Sequence, residues 1–502
     1  MHAPDPQASR TRPHALALVA AAALVQCAGA TIGAFRADDW TNLERGRWAL
    51  TPEGLRGIWT GLNPFTLYRP LVDLWHGAMM ALFGLNAPPM LLVMTLLALA
   101  QTALLARLAR ERGGDRTAAA LAAAAWWAQV NAYAWTTQWV SNVTGSLLAL
   151  FSLLALVQHH RAVRAAGRGR SAVPAVLAML AAFAAGALCK EEIVLLPAGL
   201  AALEWARRDR LSPRERTAAL RSWLALAVLA AAYLVFRTQV LPTPQVGSQR
   251  YHLTFGANVL VSAAYFAAHL GALPATAWAL TRVLWPASHA RDTWDSPAGR
   301  AARREALAAF AWAASATLLY LPISGKPAYG YYYLPAFAVA LGTARLLAHA
   351  AAAARPARLG AAGALATHFA LLLALVATGL WAGAWHTYRA RTLAVWATLD
   401  REYPEPPPGA KFVFLDASGA ECFVGRSIFN LIFDGATGAM LRLHYGRSDL
   451  QGTTLYGPEA ASLAALPADV TAVYHTRLGR IERVVNPAPP RADDPMEAGG
   501  TR

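Results

Sequence analysis

Charge is what this sequence has least of. Only 15% of its 502 residues are Asp, Glu, Lys or Arg, while 56% are hydrophobic; soluble domains carry about a quarter charged residues. A positive mean hydropathy of +0.32 agrees, and an ordinary soluble globular protein is excluded as the class. Lysine is nearly missing: Lys190, Lys326 and Lys411 are the only three, so the net charge of +16 is built almost wholly from arginine. Those arginines sit in short clusters between apolar runs, the pattern of cytoplasmic loops, so no nucleic-acid partner is expected. Cys27, Cys189 and Cys422 are far apart and supply neither a disulfide framework nor zinc spacing. His252, His269 and His289 show no ligand spacing either. No metal or cofactor is expected, although composition leaves a divalent metal open.

What the sequence does have is long apolar runs. A span needs about 20 mostly apolar residues, because its backbone must satisfy its own hydrogen bonds across a hydrocarbon core of about 30 Å. Runs near 14–34, 87–107, 117–134, 143–159, 172–188, 192–206, 217–236, 257–285, 303–323, 331–351 and 359–384 meet or approach that rule. They predict an all-α polytopic membrane protein of about eleven transmembrane helices. Residues 14–35 also fit a cleaved signal peptide, but the many later spans favour a retained first helix. Gln26 is wrong for the small residue of a lipoprotein box ending at Cys27.

Arginine placement orients the spans. Arg107/Arg110/Arg112/Arg116, Arg161/Arg164/Arg168/Arg170, Arg207 to Arg221, Arg300/Arg303/Arg304 and Arg355/Arg358 all fall on the side shared with the N-terminus, which is therefore read as cytoplasmic. This holds only if the apolar stretch from Pro70 to Leu85 is not a span. It is too short, and Asp73 and His76 share a face at i, i+3, which suits an interfacial or re-entrant helix. The expected organisation is a cytoplasmic N-terminus at 1–13, a membrane domain at 14–384 with a first extracytoplasmic loop at 35–86, and a linker at 385–408. A small extracytoplasmic α/β domain at 409–488 follows, with Lys411–Asp416 as a strand and a hairpin from Ala472 to Val485; a disordered tail at 489–502 ends the chain.

Four features on the extracytoplasmic side could carry chemistry. Asp38-Asp39 follows the first span in Phe35-Arg36-Ala-Asp-Asp-Trp40; a surface carboxylate can deprotonate a hydroxyl while a neighbouring acid or arginine positions it. The blander reading is an ordinary solvated acidic pair. Tyr68-Arg69-Pro-Leu71 opens the interfacial stretch, where a guanidinium can grip a phosphate or merely snorkel to lipid headgroups. Lys190-Glu191-Glu192 interrupts apolar sequence between two runs; such charges belong at the boundary or in a polar cavity, either binding phosphate or neutralising one another in a turn. Lys326 with Tyr329, Tyr331, Tyr332 and Tyr333 is either an aromatic interface belt or a phosphate and sugar contact. Asn142-Val-Thr144 is a sequon that arises often by chance.

In their order, these features resemble the GT-C superfamily of polyprenyl-phosphate-sugar glycosyltransferases, in the branch similar to protein O-mannosyltransferases and lipid A aminoarabinose transferases. The residues that carry the resemblance are Asp38-Asp39, Arg69-Pro-Leu71 through Phe83-Gly84, Lys190-Glu191 and Tyr333-Leu-Pro335, across about residues 14–385. It implies a multi-pass protein of the bacterial inner membrane that moves a sugar from a polyprenyl-phosphate donor to a glycan, lipid or protein hydroxyl, with inversion. Asp38 would be the general base and Asp39 its positioning partner. Arg36, Tyr68, Arg69, Lys190, Glu191, Lys326, Tyr332 and Tyr333 would contact substrates. The chain departs from the pattern between the third and fourth spans, where relatives carry a further acid and this sequence has Gln138, Ser141 and Asn142. A degenerate, non-catalytic member is one alternative. A transporter or lipid flippase is another, though it would place ionisable groups at the midplane and show internal repeats.

Overall fold

The computed structural model describes residues 11–36, 38–60, 68–129, 139–239, 255–284, 294–322, 329–353, 386–416, 436–456, 469–477 and 480–484, with a few short pieces between them. The proposed span at 359–384, Lys326 and the tail at 489–502 fall outside that description, apart from isolated helical positions near 362–370. The chain divides into two compact units. One comprises 1–33 with 48–381, and the other 34–47 with 382–502.

The first unit is helical. It contains α1 (Thr11–Thr31), α3 (Pro52–Thr60), α4 (Pro70–Phe83), α5 (Ala87–Glu111), α6 (Arg116–Trp127), α7 (Val143–Gly167), α8 (Val173–Ala187), α9 (Leu196–Arg207), α10 (Pro213–Gln239), α11 (Ala257–Leu284), α12 (Pro297–Thr317) and α13 (Tyr333–Ala353). Among the described residues, six helices are long and apolar enough to cross a bilayer: Pro13–Thr31, Ala87–Glu111, Val140–Gly167, Pro213–Gln239, Ala257–Ala279 and Tyr333–Ala352. Of the eleven expected runs, the one at 359–384 lies outside the described residues, and those at 117–134, 172–188, 192–206 and 303–323 form helices that fall short of this rule in length or apolarity. α8 has 15 residues and α9 has 12. The 3₁₀ turn Glu191–Leu195 leads directly into α9, and the two together extend about 28 Å at helical rises of about 2.0 and 1.5 Å per residue. α12 has the length but begins among Arg300, Arg303 and Arg304, so its first turns are too polar.

Small residues set the packing distances. At Gly199 in α9 an added Cβ would lie 2.1 Å from Trp312 Cδ1 of α12, and at Gly342 in α13 one would lie 2.9 Å from Phe310. The interior is also tied by side-chain polar groups, as a buried polar atom requires. Gln101 donates to the Ser146 carbonyl at 2.6 Å, Trp127 to Thr102 at 3.0 Å and Gln129 to the Ala336 carbonyl at 2.9 Å.

The predicted non-span from Pro70 is the 14-residue α4, about 21 Å long and short of a bilayer core. Its apolar side packs into the bundle. Val72 joins Met94 of α5, Val143 and Leu147 of α7 and Cys189 in one buried cluster, with Leu71 and Trp75 against it. Asp73 and His76, predicted to share a face, are both buried, and His76 Nδ1 lies 2.9 Å from the Val72 carbonyl.

Among the described residues, arginines of four of the predicted clusters are tied to neighbouring helix ends. Arg164 pairs with Glu111 at 2.9 Å, Arg112 donates to the Leu203 carbonyl at 3.0 Å, and Arg345 pairs with Glu305 at 2.6 Å. Arg210 also reaches Glu305, and Arg304 reaches Asp209, so residues from four of the five predicted clusters lie near one another; Arg355 and Arg358 lie outside the described residues.

The second unit contains α2 (Asp38–Ala49), α14 (His386–Glu402), α15 (Thr437–Tyr445), strands β1 (Lys411–Asp416), β4 (Gln451–Tyr456), β5 (Ala472–Arg477) and β6 (Arg480–Val484), and the short pair β2 (Cys422–Phe423) and β3 (Arg426–Ser427). The main sheet has the order β4-β1-β5-β6. β1 runs parallel to both β4 and β5, and β5 and β6 form the antiparallel hairpin predicted from the sequence. Val413, Leu415 and Val473 form its core. α15 lies across β4 at a glycine pair: a Cβ on Gly452 would come 2.9 Å from the Gly438 nitrogen. The predicted α/β character of the C-terminal region is present, and α2 from the first loop is part of the same unit.

Candidate functional site

The residues singled out by the sequence fall into two sets, one in each unit, and each is described by itself.

In the first unit Arg69 and Lys190 are drawn together by backbone geometry. Pro70 occupies the first helical position of α4, where a missing N–H costs nothing and the fixed φ favours the start of the helix. Arg69 is the residue immediately before it, and its carbonyl accepts from Val72 and Asp73 at 3.0 Å each. The Leu71 N–H donates to Leu188 at the end of α8 at 3.3 Å. That bond fastens the start of α4 to the turn Cys189-Lys190, whose own N–H groups bond back to Gly186. Arg69 Nη2 consequently reaches Glu191 at 3.3 Å. The Arg69 Nε is buried without a hydrogen-bond partner among the described residues.

Lys190 turns inward. It is 9% exposed and Glu192 is 7% exposed, and the two side chains lie 2.5 Å apart. The ammonium also donates to the Tyr320 hydroxyl at 3.0 Å and sits 5.2 Å from the centre of the Tyr331 ring, within cation–π range. Tyr320 and Tyr331 stack with centroids 4.1 Å apart. Burial works against ionisation of Glu191, yet Arg69, a backbone hydrogen bond, Lys190 and Arg237 outweigh it and hold the carboxyl down at about 2. The result is a charged nest of two cations and two carboxylates, walled by tyrosines, at the end of the helices opposite the arginine clusters.

The tyrosines divide by environment. Tyr332 is 1% exposed, with Phe266 at 4.9 Å and His269 at 5.0 Å between ring centres. Tyr333 is fully buried, its ring against Trp126 and its hydroxyl donating to Gln101. Tyr68 meets Phe236 edge-on at 5.8 Å. Tyr320, Tyr331 and Glu192 complete the nest; the sequence had singled out Glu192 beside Lys190 and Tyr331 beside Lys326, but not Tyr320. Lys190's position as one of three lysines pointed to the place, but nothing in an apolar run such as Leu318-Leu-Tyr320 signals a partner for it.

In the second unit the acidic pair splits into two environments. Both residues lie in the first turn of α2, where the helix dipole and free N–H groups favour negative charge. Asp39 is fully buried, and its Oδ2 accepts from the Arg36 N–H at 3.0 Å while its own N–H bonds to the Arg36 carbonyl at 2.8 Å. Asp38 is exposed. Arg36 is itself 5% exposed. One carboxylate is thus built into the turn and the other is exposed.

The one group of possible metal ligands among the described residues is His159, His160 and Glu204, at the arginine-rich end. Glu204 is already engaged there by Arg207 at 2.9 Å, and Arg112 lies 3.4 Å from His160, so nearby positive charge opposes a bound cation. It has no part in the two sets above.

The family model described as dolichyl-phosphate-mannose-protein mannosyltransferase matches residues 68–236. That segment begins at Tyr68 and includes Arg69, Lys190 and Glu191. No curated protein matches the chain. Among solved structures, the crystal structure of ArnT from Cupriavidus metallidurans bound to undecaprenyl phosphate is similar at 18% identity, with 77% of this chain and 72% of that chain covered and a TM-score of 0.43. Over residues 68–236 the chain is similar to the dolichyl-phosphate-mannose-protein mannosyltransferases, in agreement with the GT-C resemblance carried by its motifs.

Proposed function

We propose that this protein is a membrane glycosyltransferase that takes a sugar from a polyprenyl-phosphate donor and places it on an extracytoplasmic hydroxyl. The observation that carries this reading is the nest formed by Arg69, Glu191, Lys190 and Glu192. Its cations stand where a lipid-borne phosphate meets the protein, and the Arg69 Nε retains an unused donor among the described residues. The match of residues 68–236 to a family named for a polyprenyl-phosphate-mannose donor supports the same chemistry.

In this reaction Asp38 removes the proton from the acceptor hydroxyl as its oxygen attacks the anomeric carbon. The new C–O bond forms on the face opposite the phosphate, the bond to the phosphate oxygen breaks, and the sugar inverts. The proton stays on Asp38, and the departing polyprenyl phosphate gains negative charge. Arg69, Lys190 and Lys326 stabilise that charge, the electrostatic contribution that commonly dominates such catalysis. Asp39, locked to the Arg36 N–H, holds the turn that presents Asp38 and does not itself take the proton. Arg36, Tyr68, Glu191, Tyr332 and Tyr333 shape the surroundings, and no metal is required where cations already neutralise the leaving group.

The test is sugar transfer by the purified protein in proteoliposomes supplied with polyprenyl-phosphate sugars. Asp38→Asn is expected to lower kcat at least about a hundredfold, the usual range for a lost general base, with donor binding retained. Full activity in that variant would remove Asp38 as the base. Substrate flux without any glycosidic product would identify a transporter instead.

A further inference from the structure

The helix that presents the acidic pair belongs, over residues 38–47, to the unit that contains the C-terminal region. Residues 34–47 form one compact body with 382–502, although more than three hundred residues of sequence separate them. Two independent links hold α2 there. The first is aromatic: Trp40, fully buried, meets Trp396 of α14 edge-on at 5.7 Å and Phe35 at 5.3 Å. Trp396 in turn stacks on His444 of α15 at 4.9 Å, and His444 Nε2 lies 2.7 Å from Asp400.

The second link is ionic and two-pronged. Arg442 of α15 donates through Nε and Nη2 to the two carboxylate oxygens of Glu44, the latter at 2.9 Å, and through Nη1 to the Leu450 carbonyl at 3.1 Å. Such a fork fixes direction as well as distance. Trp40 and Glu44 are four residues apart in α2, with fully buried Leu43 between them, so both links grip one face of the helix. Asp38 lies six residues, or about 9 Å, before Glu44 along the same rigid rod.

We propose that the C-terminal domain is a positioning element of the transfer reaction, with Arg442 holding α2, through Glu44, in the orientation that aims Asp38 at the acceptor. The inference rests on the reading of Asp38 as the base. Arg442 touches no substrate and acts through Glu44. A displacement of about 1 Å at a reacting group can cost about a hundredfold in rate, so slack at Glu44 is felt in turnover before it is felt in donor binding.

The experiment uses full-length protein in proteoliposomes with Arg442→Lys, which keeps the charge and loses the fork, and Glu44→Gln. Backbone hydrogen exchange is read in residues 38–49 and in β1 and β5, beside kcat and KM for a polyprenyl-phosphate sugar. Lys411→Arg, at a surface pair of the same domain, is the control. Arg442→Lys is expected to speed exchange in 38–49 while β1 and β5 stay protected, and to lower kcat about tenfold or more with KM changed less than about twofold. Unchanged exchange in 38–49 overturns the anchoring role. Faster exchange with native kcat overturns the positioning role. General loss of protection in β1 and β5 on Arg442→Lys would make Arg442 a folding residue and likewise overturn it. A native protein that binds but never transfers any donor removes the proposed function and the positioning role with it, whatever the exchange shows.

Discussion

The sharpest quantitative consequence concerns Lys190. Its ammonium lies 2.5 Å from Glu192 with both residues under 10% exposed, a separation at which the attraction is about 7 kcal/mol at an effective dielectric of about 20. Most of that only offsets the desolvation of two charges, so the pair is nearly neutral for stability as a whole. Removing one partner is different. Lys190→Met leaves the Glu192 carboxylate buried without its counter-ion, a loss of about 3–5 kcal/mol for a buried pair, and also takes the donor from the Tyr320 hydroxyl, worth about 1 kcal/mol. Lys190→Met with Glu192→Gln removes both charges and is expected to recover most of that stability. Thermal unfolding in detergent, followed by tryptophan fluorescence, measures the first quantity, and sugar transfer measures the second. The double variant should be as stable as the native protein within about 1–2 kcal/mol and still inactive, because the phosphate has lost its cation. A single variant as stable as the native protein would refute the buried pair. A stable and fully active double variant would refute Lys190 as a phosphate ligand.

Other consequences are simpler to state. Tyr333→Phe removes the hydroxyl bonded to Gln101 and should cost about 1–3 kcal/mol of stability while transfer stays within about twofold; lost transfer at native stability would return that hydroxyl to the substrate. Gly199→Ala puts a methyl into the Trp312 ring and should lower stability by about 1–3 kcal/mol through overpacking between α9 and α12, measurable as a lower unfolding midpoint. Glu191 is held at about 2 in the folded protein, below the ordinary carboxylate value of 4.5. Its folded pKa is depressed, so the stabilisation is present above about 4.5 and is lost as pH falls toward about 2. Unfolding midpoints of Glu191→Gln and native protein should therefore differ above that window and converge at its acid end.

Much of the architecture was legible because the bilayer imposes it. A run of about 20 apolar residues has few other ways to satisfy its backbone, and arginine clusters mark one face. α4 was distinguishable from a span because it is too short and carries Asp73 and His76 at helical spacing. β1 and the β5–β6 hairpin could be read from alternating β-branched and aromatic residues around a turn. Arg69, Lys190 and Glu191 stood out because charge is costly between apolar segments.

The sequence by itself therefore determined the membrane class, the strands and the scarce charges that stand out as candidate site residues, since each follows from local composition and the solvent it must face. Only the tertiary structure decided who meets whom. It paired Lys190 with Glu192 and brought Tyr320 to it from 130 positions away. It buried Asp39 in its own turn while leaving Asp38 exposed. It also placed α2 in one unit with the C-terminal domain through Trp396 and Arg442. Those outcomes depend on contacts between segments far apart in the chain, whose geometry is set by side-chain packing, and no periodicity or hydropathy within either segment encodes its partner.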